Sequence, residues 1–249
     1  MSAPSNTVRR TKPPHAGWHR ARLVEARPES ATSRRLVFDV PTWPGNDAGA
    51  HADLRLTAPD GYQATRSYSL ASYGPQRRVV LAVAEVPDGE VSPYLVQDLA
   101  VGDEVQIQGP LGRYFIWRPD KHEGPVQLIA GGSGVVPLFP MAEANEQAEN
   151  PNPVRLLYSV RTAQDVMFDA ELQALQHTDV RVIHTREDTA ERPAGRLTQD
   201  EFAELVVPPA ESSALYICGP TVFVETVANW ATSLGYPAQS IRTERFGGK

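Results

Sequence analysis

The apolar positions in the first half of the chain come in short runs, each cut off by Pro, Gly or Asp. Residues 18–26 alternate around Leu23 and Val24, residues 35–40 carry Leu36, Val37, Phe38 and Val40, and residues 52–56 form another brief run. Residues 66–72 also alternate, with Tyr68 and Leu70 on one side and Ser67, Ser69 and Ala71 on the other, the period of a half-buried strand. Residues 78–86 make a longer β-rich segment, and residues 105–108 alternate before Gly109 and Pro110. Turn signals separate them: Pro44, Gly45 and Gly49, then Pro59-Asp60-Gly61, then Pro87-Asp88-Gly89. Many short strands at regular spacing predict an antiparallel β-barrel over residues 16–118. The one helical spacing, with Tyr94, Leu95 and Leu99 on a face, predicts a helix over 92–99 with Ser92 as its N-cap.

After a linker at 119–124 the period changes. Apolar runs at 126–130, 154–160, 180–184, 215–218 and 241–246 take turns with helical patterns at 138–147, 169–175, 198–205 and 222–234. Thr198-Gln199-Asp200-Glu201 opens one of those helices as a capping box. Strand and helix in alternation predict a doubly wound, parallel α/β sheet over residues 125–249, the second of two domains. Residues 1–15, with Arg9, Arg10 and Lys12 and no apolar core, read as a flexible tail and not as a secretory signal.

Composition narrows the function. The 249 residues carry a net charge of −6, so general nucleic-acid binding is excluded. The charge is uneven: residues 1–124 stand at +1 and residues 125–249 at −7, as two domains with different tasks would be. No apolar run reaches the ~18 residues that span a bilayer. A single cysteine, Cys218, rules out a disulfide within the chain and points to a reducing cytoplasm.

The candidate chemistry sits at strand ends and turns. Arg66, Tyr68 and Ser69 place a guanidinium, an aromatic ring and a hydroxyl within four residues, a set suited to a flat ring system attached to phosphates. Gly89-Glu90-Val91-Ser92 follows about twenty residues later, a glycine for close backbone approach and a predicted helix start for an anion. Gly131-Gly132-Ser133-Gly134, running to Pro137, lies directly after a strand and lets a pyrophosphate approach before a helix begins. Cys218-Gly219-Pro220 is a second turn of that kind, and Arg161, Thr185 and Arg186 stand at two further strand ends, where a nucleotide ribose and its phosphate would lie.

In order, Arg66-x-Tyr68-Ser69, Gly89-x-Val91-Ser92, Gly131-Gly132-x-Gly134-x-x-Pro137, Cys218-Gly219-Pro220 and Glu244-x-Phe246-Gly247 resemble the ferredoxin–NADP reductase superfamily over residues 16–249. The resemblance implies a flavin-binding barrel and a nicotinamide-nucleotide domain whose ring systems meet at the cleft. Arg66 would bind the flavin pyrophosphate, Tyr68 would lie against the isoalloxazine, and Ser69 would bond near its hydride-accepting nitrogen. Gly89, Val91 and Ser92 would cap the flavin phosphates. Gly131, Gly132 and Gly134 would admit the nicotinamide nucleotide, with Cys218 beside the nicotinamide and Glu244 near the flavin edge. Ser69, Cys218 and Glu244 are thus the catalytic candidates. Thr185-Arg186 resembles the Ser-Arg pair that holds a 2′-phosphate, which favours NADPH over NADH; FAD is favoured, with FMN left open.

Two departures stand out. Asp88 replaces a second glycine that many relatives have before the Val-Ser pair, and the role of Phe246 before Gly247-Gly248-Lys249 is open. One cysteine cannot hold the two-iron, two-sulfur cluster that relatives fuse to these domains. Electrons would therefore pass to a separate acceptor such as a ferredoxin or an iron–sulfur oxygenase component, to oxygen or to a small acceptor. Arg9, Arg10, Lys12, Arg20, Arg22, Arg34 and Arg35 read first as solvated tail and strand charges, and second as a docking patch for an acidic carrier. The competing readings are a reductase of a small diffusible acceptor (flavin or quinone) and a flavin-binding regulatory subunit that passes no electrons.

Overall fold

A computed structural model describes residues 17–247, so the tail over residues 1–15 falls outside the described residues. Six strands, β1 (Gly17–Ser30), β2 (Ser33–Asp39), β3 (His51–Thr57), β4 (Gln63–Ser69), β5 (Arg78–Ala84) and β6 (Glu104–Leu111), form one antiparallel sheet in the order β4-β3-β6-β1-β2-β5. Its two ends are drawn together where the Ala71 N–H donates to the Val80 carbonyl at 2.8 Å, just past β4. Every second residue points inward: Ala21 and Leu23, Leu36 and Phe38, Ala52 and Leu54, Val79, Leu81 and Val83, Val105 and Ile107 are buried together. This is the predicted barrel.

The helix predicted over 92–99 forms over residues 92–98: Ser92 and Pro93 open it as α-helix and Tyr94–Asp98 continue it as a π-helical turn. Ser92 does not cap it: its Oγ accepts the Val86 N–H at 3.1 Å, and the turn has no side-chain cap. At its C-terminal end the carbonyls of Leu95, Val96 and the following Leu99 accept from Arg34 Nη1 at 2.9–3.3 Å.

The second sheet is wholly parallel, in the order β11-β10-β7-β8-β9: β7 (Val126–Gly131), β8 (Val154–Val160), β9 (Thr178–His184), β10 (Ala214–Pro220) and β11 (Ile241–Phe246). Helices α1 (Val135–Glu146), α2 (Asp169–Ala174), α3 (Gln199–Leu205) and α4 (Thr221–Leu234) link them. The Thr198/Glu201 capping box forms as predicted. Both faces are covered, as a parallel sheet requires. Ile129, Leu157, Leu215 and Ile217 pack under α3 and α4, while Leu128, Leu156, Tyr216 and Cys218 pack under α1 and α2.

That second face does not end at the sheet. Phe115, Trp117, Ala71 and Ala82 of the barrel half belong to the same buried cluster, and Phe115 meets Tyr216 edge-on at 5.4 Å. An ionic knot adds to it: Arg35 on β2 binds Glu29 of β1 and, at 2.6 Å, Glu171 of α2, while Glu29 Oε1 accepts the Phe168 N–H at 2.6 Å. The two halves are held by a shared apolar core, which fixes the cleft between them.

Candidate functional site

Two grooves open along the junction. The first, of about 440 Å³, is lined by Arg66, Tyr68 and Ser69 of β4, by Ala82, Val83 and Ala84 of β5, by residues 88–92, and by Ser133, Val136 and Phe246. The second, of about 360 Å³, lies beyond the carboxyl ends of β7, β8 and β9, with Gly131, Gly132, Ser133, Arg161, Thr185, Pro220 and Phe223 in its wall. Ala84, Ser133 and Phe246 line both. A larger cleft of about 630 Å³, walled by Arg35, Tyr73, Glu143 and Glu171, lies toward the other end of α1 and holds none of the predicted site residues.

The first groove fits a flavin phosphate and ring. Arg66 donates Nη1 to the Thr65 carbonyl at 2.7 Å and Nη2 to Glu90 at 3.1 Å, so three of its five N–H donors are left for a phosphate. Burial holds the Tyr68 phenol up to about 12, so the ring is neutral. The Ser69 Oγ is buried and has no partner in the protein. A buried hydroxyl without a partner is costly, so a cofactor atom would satisfy it. Asp88, the departure from a second glycine, has φ +61° at the third position of a turn closed by the Gly89 N–H on the Val86 carbonyl, behind Pro87. That conformation favours glycine and is tolerated by Asp, so the substitution keeps the turn.

In the second groove the glycines answer to different constraints. Gly132 has φ +53° with open space around its missing side chain, whereas a Cβ on Gly134 would lie 2.0 Å from the Cys218 carbonyl oxygen. Gly134 thus lets α1 start against β10 and lines neither groove, while Pro137 falls in the first turn of α1, buried. Arg161 and Arg186 are exposed and make no ion pair, and the Arg186 N–H donates to the Arg161 carbonyl at 2.8 Å. Thr185 and Arg161 line the groove; Arg186 stands beside it.

Cys218 lies deeper than the nicotinamide position inferred for it. It is fully buried, lines neither groove, and its thiol is pushed well up by burial and by Glu244. Glu244, beside it on β11, is itself raised to about 7 by burial and keeps Oε2 without a partner. The proposed docking arginines are dispersed: Arg34 and Arg35 are structural, Arg20 pairs with Glu104 at 2.6 Å, and Arg22 donates to the Gly102 carbonyl at 3.2 Å. Arg9, Arg10 and Lys12 fall outside the described residues. Sequence reasoning missed Ala84 and Ser133; Ser133 sits inside the glycine run, but nothing in β5 marked Ala84.

Residues 20–116 match the oxidoreductase FAD-binding domain family and residues 128–229 the oxidoreductase NAD-binding domain family. The chain is 29% identical over 242 residues to the glycine betaine monooxygenase reductase subunit of Chromohalobacter salexigens, covering 93% of this chain and 65% of that one. It is 32% identical over 214 residues to the aromatic O-demethylase reductase subunit of an Amycolatopsis species, covering 82% and 62%. The FAD/NAD-binding domain of a nitric oxide dioxygenase from Vibrio cholerae superposes with a TM-score of 0.80 at 26% identity, over 92% of this chain and 99% of that domain. The chain spans between half and about two thirds of the length of the first curated relatives it matches. With FAD-binding and NAD-binding domains in this order, the chain belongs to the ferredoxin–NADP reductase superfamily.

Proposed function

We propose that this chain is a reductase component that takes hydride from NADPH and hands the electrons to a separate iron–sulfur or oxygenase protein. The observation that carries it is the shared wall of the two grooves, Ala84, Ser133 and Phe246, which brings two bound ring systems into contact. A flavin held there would supply the hydride-accepting and electron-releasing chemistry, and the protein contributes position and electrostatics. In this reading Arg66 holds the flavin phosphates, with Gly89, Val91 and Ser92 beside them, and Tyr68 lies along the ring. Ser69 donates its free hydroxyl to a ring nitrogen. Gly131, Gly132 and Pro220 admit the second nucleotide, with Gly134 and Gly219 allowing the close packing beneath. Phe246 covers the junction, and Cys218 and Glu244 form its floor.

NADPH is preferred because Arg161 and Arg186 are unpaired at the strand ends and free to fork onto a 2′-phosphate. A separate acceptor is supported by relatives that are themselves reductase subunits of monooxygenase and demethylase systems; these residues, with one cysteine, do not themselves hold a four-cysteine cluster. Among the described residues no helix is long and apolar enough to cross a membrane, and a cytoplasmic site is our reading of the lone thiol.

The deciding experiment is an absorption spectrum of purified protein before and after anaerobic NADPH, with the released flavin identified by chromatography. A yellow protein bleached by NADPH supports the reading. A protein that takes up no flavin overturns it, and a bound flavin that NADPH leaves oxidised favours the regulatory subunit.

A further inference from the structure

The cleft of about 630 Å³ toward the C-terminal end of α1 is built by both halves and shares no lining residue with either groove. Strands β2 and β5 supply Val37 and Val80, and the segment after β4 supplies Tyr73. The opposite wall is a stripe of Phe139, Glu143 and Gln147, four residues apart and so on one face of α1 and its C-cap. Phe139 stacks on Phe168 at 4.3 Å, and the Tyr73 hydroxyl donates to the Glu143 carbonyl at 3.3 Å, so two rings are held beside one carboxyl. That carboxyl is the one polar side chain of α1 that the fold leaves uncommitted. Asn145 exchanges hydrogen bonds of 2.8 and 3.0 Å with the Asn152 backbone, and Glu146 accepts the Gln176 and His177 N–H groups at 2.9 and 2.8 Å. Glu143 is half-buried, yet among the described residues its carboxyl has no hydrogen bond or ion pair. Burial raises it to about 6, while Arg35 opposes the rise and Glu171 adds to it.

The other charges of the cleft are matched or stand in water. Arg35 is held by Glu29 and Glu171, Glu25 has Arg27 at 3.7 Å, and Arg78 is exposed at the rim. A half-buried carboxylate beside two ring faces, in a cavity of ligand size, suits an ammonium on an apolar body. The carboxylate takes the charge-assisted hydrogen bond, and the rings attract the cation and cover the hydrocarbon. We propose that this cleft is a second ligand site, for a small primary amine carrying an aromatic or alkyl body, with Glu143 as its anion. The site is independent of the flavin reading above. Because β2, β5 and α1 all wall the cleft, a bound amine bridges the two halves.

The test is isothermal titration calorimetry of the full-length protein with 2-phenylethylamine, and with 2-phenylethanol as its neutral counterpart. Near pH 7.5 the amine should bind about 10- to 150-fold more tightly than the alcohol, the range of a charge-assisted hydrogen bond. Glu143→Gln, close in shape, should bring the amine down to the level of the alcohol. Acidifying to about pH 5 protonates Glu143 and should weaken the amine about tenfold in the wild type, with the variant unmoved. Tyr73, raised to about 12 by burial, keeps its proton over that range. Equal affinity for amine and alcohol in the wild type overturns the proposal and needs no variant to be read. An amine affinity that Glu143→Gln leaves unaltered overturns it too, as does a wild type that takes up no 2-phenylethylamine at millimolar concentration.

Discussion

Cys218 and Glu244 are register partners across the β10–β11 ladder, a buried thiol and a buried carboxyl on neighbouring strands. Burial raises both, and the Glu244 charge raises the Cys218 thiol further, so the thiol is protonated and the carboxyl titrates at about 7. The Glu244 carboxyl keeps Oε2 without a partner in the protein.

A pH dependence follows from Glu244. The carboxyl titrates near 4.5 when unfolded and at about 7 when folded. Between those values the folded chain binds a proton that the unfolded chain releases, so this group's contribution is fully present below ~4.5 and falls as pH rises. The loss runs at ~1.4 kcal/mol per pH unit and reaches up to about 3 kcal/mol above pH 7. Glu244→Gln removes it. Urea unfolding at pH 5 and pH 8 should show the wild type losing more stability than the variant over that range. Parallel losses in the two proteins would mean that Glu244 is charged in the fold.

Ser69→Ala removes a buried hydroxyl that no protein group satisfies, so it should leave folding stability unchanged or slightly raised. Flavin should remain bound, because Arg66 and the groove walls are untouched. Hydride transfer should slow by about tenfold through loss of one hydrogen bond to the ring. Stopped-flow absorbance after mixing with NADPH reads this directly, and an unaltered reduction rate removes Ser69 from the chemistry.

Much of this was legible in the sequence, and the exceptions have physical reasons. The barrel and the parallel sheet followed from period 2 and from strand–helix alternation, and Thr198 and Glu201 marked their cap correctly. Tyr94, Leu95 and Leu99 marked a helix that forms over residues 92–98, but their spacing does not show that most of it is a π turn whose last carbonyls bind Arg34, a partner far away in sequence. β1 extends to Ser30, beyond the alternation that ends near Ala26, because its second half is held by pairing with β2 and its Glu29 by the nucleotide-domain residue Phe168. The position of Cys218 beside the nicotinamide came from the family resemblance; its full burial and the close approach of Gly134 to its carbonyl are tertiary facts that the strand-then-turn pattern does not show.

The nucleotide preference can be separated from the flavin. Arg186→Ala should raise the KM for NADPH about tenfold or more, the worth of a charge-assisted hydrogen bond, and that for NADH less than twofold. Arg161→Ala, which alters the groove wall itself, should act in the same direction. Steady-state kinetics with both nucleotides decide it: equal rises for NADPH and NADH leave no 2′-phosphate site at these arginines.

The ionic knot between the halves gives the last expectation. Glu29 is only 3% exposed in its side chain and Arg35 13%, so the pair is buried, and Glu29 also accepts the Phe168 N–H. Arg35 meanwhile lies over the Phe168 ring at 4.8 Å. An exposed pair would be worth under ~1 kcal/mol. Here Arg35→Met leaves the Glu29 carboxylate buried with no cation, which costs about 3–5 kcal/mol. Adding Glu29→Gln removes that stranded charge while keeping an acceptor for Phe168, so the double variant should recover much of the loss. Urea unfolding of the wild type and the two variants measures it. If Arg35→Met costs less than 1 kcal/mol, the two halves are joined by the Phe115–Tyr216 core alone and the knot is ornamental to stability.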